Sequence, residues 1–110
     1  MGHKQQAMPF EQMRQNVQQP VQLLKIMAHE TRLIILCMLA QRGRMTVTEM
    51  MEGSDISQSA FSQHLKILRD RGLVTTEKQA LYVYYTLKNQ EVQQILTTLY
   101  DIYCAERNES

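Results

Sequence analysis

Two cysteines, Cys37 and Cys104, and three histidines, His3, His29 and His64, are the residues of this 110-residue chain best suited to act as nucleophiles, bases or soft metal ligands. Thiolates attack oxidants and sulfur donors, and thiols with imidazoles bind transition metals. The cysteines stand far apart with no C-x-x-C motif, which excludes a zinc ribbon and a dense disulfide framework. Two thiols with a distant His29 or His64 make a poor ligand set, since a structural zinc site normally needs four placed donors. No nucleophile stands beside a base, no carboxylates pair in a motif and no glycine-rich phosphate loop is present. The sequence therefore argues against an enzyme and requires no cofactor.

A second chemistry lies in "SQSAFSQHLKILRDRGLV", Ser57 to Val74. Phe61, Leu65 and Leu68 recur at helical spacing and hold this segment to a core, which leaves Gln58, Ser59, Ser62, Gln63, His64 and Lys66 on outward faces. Glutamine can bond adenine bidentately, whereas serine, lysine and a helix N-terminus suit phosphates or mixed contacts. Lys66, Arg69 and Arg71 oppose only Asp70, so the segment is basic although the chain, with 12 Lys and Arg against 11 Asp and Glu, is nearly neutral. Counterion release can then act locally. A polar helix face taken singly is most often just solvated. The surrounding elements decide.

Periodicity and caps give those elements. Phe10, Met13, Val17, Val21, Leu24 and Met27 recur at helical spacing with Pro20 inside the pattern, which predicts two helices or one kinked helix. His29 to Gln41 reads as a helix apolar almost all round, hence central to the core, with His29 at its start and Gly43 as its stop. Cys37 inside it also fits a small buried hydrophobe. Thr46-Val-Thr-Glu49 is a capping-box pattern with Met45 and Met50 as staple; Ile56 and Phe61 flank a second cap at Ser57, and Gly53-Ser-Asp55 is the turn between. After Gly72, Leu73 to Lys78 and Leu81 to Leu87 read as a hairpin turning around Gln79-Ala80, with Leu81, Val83, Tyr85 and Leu87 on the half-buried face. Glu91 to Cys104 is a closing helix with the stripe Val92, Ile95, Leu96, Leu99, Ile102 and Tyr103. Cys104 lies off that stripe, beside Tyr100 and Thr97, where a core-filling thiol would not sit. Met27, Met38 and Met50 occupy apolar positions and read as packing residues.

At this length the chain is one domain with an adequate but not generous core. Residues 10–106 are expected to fold, 1–9 to form a disordered arm that includes His3, and 107–110 a short tail. The longest apolar run is too short to span a bilayer and no signal-like segment opens the chain. A cytoplasmic location without a membrane partner is expected, where both thiols rest reduced.

Short helix, glycine turn, second helix and hairpin, in that order, make a mainly α winged helix-turn-helix with a small β-hairpin, whose second helix enters the DNA major groove. The stretches "LLKIMAHETRLIILCML" and "SQSAFSQHLKILRDRGLV", the tyrosine-rich hairpin and the terminal "LYDIYCAE" resemble the ArsR/SmtB family of dimeric bacterial transcriptional regulators, over about Val21 to Cys104. The resemblance implies a homodimer built from the first and last helices, binding an inverted-repeat operator in double-stranded DNA, with Lys78 and Gln79 at the wing tip. The apolar faces that would meet are Met13, Val17 and Leu24 with Val92, Ile95, Leu99 and Ile102.

Similarity is greatest to the family's dithiol branch, which senses reactive sulfur and redox state, and whose thiols carry over onto Cys37 and Cys104. Its metal sensors place a Cys-x-Cys motif before the recognition helix or an Asp-x-His pair in the last helix. Thr46 to Glu52 holds no cysteine here, and Glu91 to Glu106 no histidine. The expected function is a repressor that leaves its operator when a persulfide or another thiol oxidant bridges Cys37 and Cys104. At Cys104 the helix dipole disfavours thiolate, whereas Arg107, one turn on, would favour it if ordered, and the sequence leaves that balance open. A metal- or metalloid-responsive repressor, an anti-silencing activator, a dimerisation module with a degenerate recognition helix and a thiol-handling enzyme stand as alternatives.

Overall fold

The computed structural model describes residues 7–105, so His3, the first six residues of the expected arm, and the tail with Arg107 lie outside it. The elements follow in the order α1 (Phe10–Asn16), α2 (Gln18–Met27), α3 (Glu30–Arg42), α4 (Val47–Met51), α5 (Gln58–Asp70), β1 (Val74–Gln79), β2 (Tyr82–Leu87) and α6 (Gln90–Tyr103). No described helix is long and apolar enough to cross a membrane.

The expected first segment divides at Val17, three residues before Pro20. Pro20 therefore falls in the first turn of α2, where its missing N–H would have had no intrahelical partner in any case, and there it interrupts nothing.

α3 is the hub, packing against α2, α5, α6 and β2. It contributes Ile35, Leu36 and Leu39 to a core completed by Met27, Met45, Met50, Phe61, Leu65, Leu68, Leu73, Val74, Val92 and Leu96. The helix is not buried all round, since Ile34 is exposed.

Local capping sets the helix boundaries. The Nδ1 of His29 accepts the Thr31 N–H at 3.2 Å at the start of α3. Both arms of the Thr46–Glu49 capping box form, at 3.2 and 2.9 Å. Ser57 Oγ accepts the Ala60 N–H at 3.1 Å and so fixes the first turn of α5. Asn89 caps α6 by accepting the Val92 N–H at 3.1 Å.

The hairpin pairs Val74 with Leu87 through Gln79 with Tyr82, so its tip is Ala80-Leu81 rather than Gln79-Ala80. Ala80 holds φ at 57°. Leu81 is 91% exposed, and of the four residues assigned to the buried face only Tyr85 and Leu87 pack against the core. The distal half of the hairpin projects beyond the body, so Leu81 and Val83 on its inner face are exposed. At the other end Met45 exchanges both backbone hydrogen bonds with Tyr85, at 3.1 and 2.8 Å, and joins the sheet as a one-residue third strand.

Candidate nucleic-acid interface and thiol pair

Phe61, Leu65 and Leu68 seat α5 with at most 2% exposure, and the opposite side carries Gln58, Ser59, Ser62, Gln63 and Lys66, all exposed. The amphipathic register that orients the helix thus also selects the side chains a groove would meet. His64 departs from this arrangement. Its ring is half-buried, its Nδ1 lies 3.3 Å from Nη1 of Arg32, and its centroid is 4.3 Å from that of His29. His64 faces α3, because at helical spacing it falls between the outward row and the buried row.

Lys66 is likewise not free: its Nζ lies 2.9 Å from Oδ2 of Asp70, one turn on. Both groups are well exposed, and a surface pair of this kind is worth about 0–1 kcal/mol, small enough to exchange Asp70 for a phosphate. Ser62, Lys66 and Arg69 line one wall of a cleft of about 260 Å³ whose other wall is Tyr85 of β2.

In the wing, Lys78 is exposed on the same face of the hairpin as Val83 and Tyr85. Gln79 is on the opposite face, where its Oε1 accepts a hydrogen bond from Arg44 Nη2 at 3.1 Å. The Arg44 guanidinium also lies 4.0 Å over the Tyr84 ring, with Tyr82 alongside at 6.4 Å between ring centroids. Arg44 therefore braces the wing. Its only trace in the sequence is a cation just before the one-residue strand, with two tyrosines on the hairpin's outward face.

Cys37 is half-buried on α3 and Cys104, the carboxyl cap of α6, is exposed; both are free thiols. The Cys37 pKa is raised above the ordinary thiol value, first by burial and then by the charge of Cys104, which is felt at Cys37. Among the described residues no group of three or more His, Cys, Asp or Glu could hold a metal ion.

The expected dimer faces are only partly available. Met13, Val17 and Leu24 are exposed, with Phe10 at 74% beside them, and α1 buries none of its residues. On α6, Ile95 and Leu99 are half-buried and Ile102 is exposed, whereas Val92 is fully buried in its own protomer. Val92 is thus a core residue with no surface left for a partner. The radius of gyration, 16.9 Å, exceeds the roughly 13 Å of a compact chain of about 100 residues, in keeping with elements that project from the body.

The family profile described as "Bacterial regulatory protein, arsR family" matches residues 29–76. The transcriptional activator HlyU of Vibrio cholerae is 45% identical over 97 residues, covering 88% of this chain and 89% of its own. The structure of reduced HlyU from that organism superposes with a TM-score of 0.80 over 87% of this chain and all of the other. The transcriptional repressor BigR of Xylella fastidiosa superposes with a TM-score of 0.76 at 32% identity, over 90% of this chain and all of its own. These relatives are named as regulators of transcription rather than as enzymes. With a capped recognition helix, a braced hairpin and this degree of likeness, the chain belongs to the ArsR/SmtB family of winged helix-turn-helix transcriptional regulators.

Proposed function

We propose that the chain is a homodimeric regulator that holds an inverted-repeat operator while Cys37 and Cys104 are thiols and releases it once they are bridged. The observation that carries this reading is the placement of half-buried Cys37 on α3 and of exposed Cys104 at the carboxyl end of α6, two helices that pack against each other. Cys104 meets the reagent first. Its thiolate attacks the outer sulfur of a persulfide RSSH, RS⁻ leaves, and Cys104 becomes a persulfide. The Cys37 thiolate then attacks the inner sulfur, HS⁻ leaves and a disulfide forms. If Cys37 is persulfidated as well, the two persulfides condense to a trisulfide and release hydrogen sulfide. A direct disulfide needs Cα atoms about 4.4–6.8 Å apart, a limit that inserted sulfur relaxes.

DNA contacts are assigned to Gln58, Ser59, Ser62, Gln63 and Lys66 on α5 and to Lys78 on the wing, with Gln79 and Arg44 holding the wing's angle. The dimer is assigned to Met13, Val17 and Leu24 with Ile95, Leu99 and Ile102. A bridge from α6 to α3 strains the helix on which α5 and β2 both rest, so the two reading heads no longer match grooves about 34–36 Å apart. The name of the Vibrio relative, a transcriptional activator, supports a second form of the reading in which the DNA-bound chain raises transcription.

The test uses a duplex selected by the reduced protein from a random library. Persulfide should release it from wild type, with mass spectrometry finding Cys37 joined to Cys104. Cys37→Ser and Cys104→Ser should bind as reduced wild type does and fail to respond. Release that persists in both variants would refute the switch.

A further inference from the structure

His29, Arg32 and His64 take no part in the thiol chemistry, yet they form a connected cluster between α2, α3 and α5. Half-buried Arg32 reaches in two directions. Its Nε donates to the backbone oxygen of Ile26 at 2.7 Å, near the end of α2, and its Nη1 meets Nδ1 of His64 on α5 at 3.3 Å. Arginine carries donors and no acceptor, so Nδ1 of His64 must accept, and the proton of the neutral ring sits on Nε2. The His64 ring rests against His29 with the planes inclined at 43°. His29 is committed in the same sense, since its Nδ1 accepts the Thr31 N–H.

We propose that Arg32 and His29 are positioning residues for DNA recognition: through neutral His64 they lock α5 to the end of α2 and the start of α3, and protonation of His64 opens the lock and weakens operator binding. A proton on Nδ1 would set an N–H against the guanidinium N–H and place a cation between Arg32 and His29. These two basic groups face the ring from α3, and among the described residues no carboxylate bonds to it. Consistent with that geometry, burial first, then His29 and Arg32, hold the His64 pKa below the ordinary histidine value. The sign follows. With the folded pKa depressed, the unfolded chain binds more protons below about pH 6.5, so the stabilisation is complete above that value and is lost as pH falls through the folded pKa.

A histidine that contacted phosphate directly would behave in the opposite way, because DNA attracts its protonated form and acidification would tighten binding. The proposal rests on α5 being the DNA-reading helix, and Lys66→Ala serves as the separate control on that point.

The experiment titrates the reduced full-length protein against the library-selected duplex from about pH 7.5 to about pH 5.5, a window spanning the ordinary histidine range. Wild-type affinity should fall on acidification by up to about tenfold per pH unit for each subunit. His64→Asn, whose Oδ1 replaces Nδ1 as acceptor and does not titrate, should bind as wild type does at the upper pH and lose this fall. His29→Asn keeps a good helix cap, removes one basic neighbour and should move the midpoint to higher pH; it serves as the test if His64→Asn does not fold. Thermal melts without DNA should show the same pH midpoint. An unchanged profile in His64→Asn, an unmoved midpoint in His29→Asn, or binding that tightens in acid would overturn the lock. Wild-type affinity in Lys66→Ala, beside an intact melting profile, would overturn the role of α5 in reading DNA, and with it the effect of the lock on operator binding.

Discussion

Asp70→Asn should raise DNA affinity without harming the fold. In the free protein Lys66 is tied to Asp70 at 2.9 Å, with the two side chains 69% and 58% exposed. When Lys66 turns to a phosphate, Asp70 is left uncompensated near the duplex. Exposed pairs are worth about 0.2–1 kcal/mol, so releasing Lys66 should improve binding by as much as about fivefold per subunit and about thirtyfold for a symmetric dimer. The salt dependence should steepen by up to about 0.9 in log–log slope per subunit, the share of one further neutralised phosphate. Stability should barely change, for two small effects oppose each other. Losing an i,i+4 pair costs about 0.3–0.5 kcal/mol. Asp70 is the last residue of α5, where the helix dipole disfavours a negative charge by about 0.3–1 kcal/mol. Fluorescence anisotropy at several salt concentrations, beside a thermal melt, reads both quantities. Equal affinity with an unchanged slope in a folded Asp70→Asn protein would show that Lys66 does not face the phosphates.

Two further outcomes are expected. Leu24→Glu, at a position 52% exposed in the protomer, should leave the helical signal intact and give monomers by sedimentation, because the carboxylate would have to be buried only at the partner's face; a dimer of wild-type strength would remove α2 from the interface. Iodoacetamide should label Cys104 before Cys37, since Cys104 is exposed while Cys37 is half-buried with its pKa raised, first by burial; equal rates by mass spectrometry would contradict the assigned order of attack.

Features specified within a few residues were legible in the sequence. The caps at Thr46 and Ser57, the stop at Gly43 and the inward row Phe61, Leu65, Leu68 are local hydrogen-bonding or steric choices, and the structure contains each of them. What escaped depends on which surfaces meet. A stripe at helical spacing cannot distinguish a residue that packs into its own protomer from one that awaits a partner, so the pattern groups Val92 with Leu99 although Val92 is fully buried. Alternation in a strand predicts a face but not whether anything covers it, and Leu81, on the inward register, is exposed. Asn89 was overlooked because Lys88-Asn-Gln90 gives no apolar onset at the cap. The link from Arg32 to His64 spans 32 residues and has no local trace. The pairing of Cys37 with Cys104 came from family likeness rather than from spacing.

The exposed amino-terminal helix α1 is open to mass action. A seven-residue helix is too short to persist in water on its own, and within the chain α1 is held only by running on into α2 through the Val17 N–H bond to the Met13 oxygen at 3.0 Å. Here it carries Phe10 and Met13 outward and places none of its residues in the protomer's core. In the proposed dimer, part of the free energy that orders it would come from the encounter of two chains, so its helicity would be a function of protein concentration. Each tenfold dilution removes about 1.4 kcal/mol of driving force per dimer. The number of copies in a cell would then set both how much operator is occupied and how much of the chain is folded at its amino end.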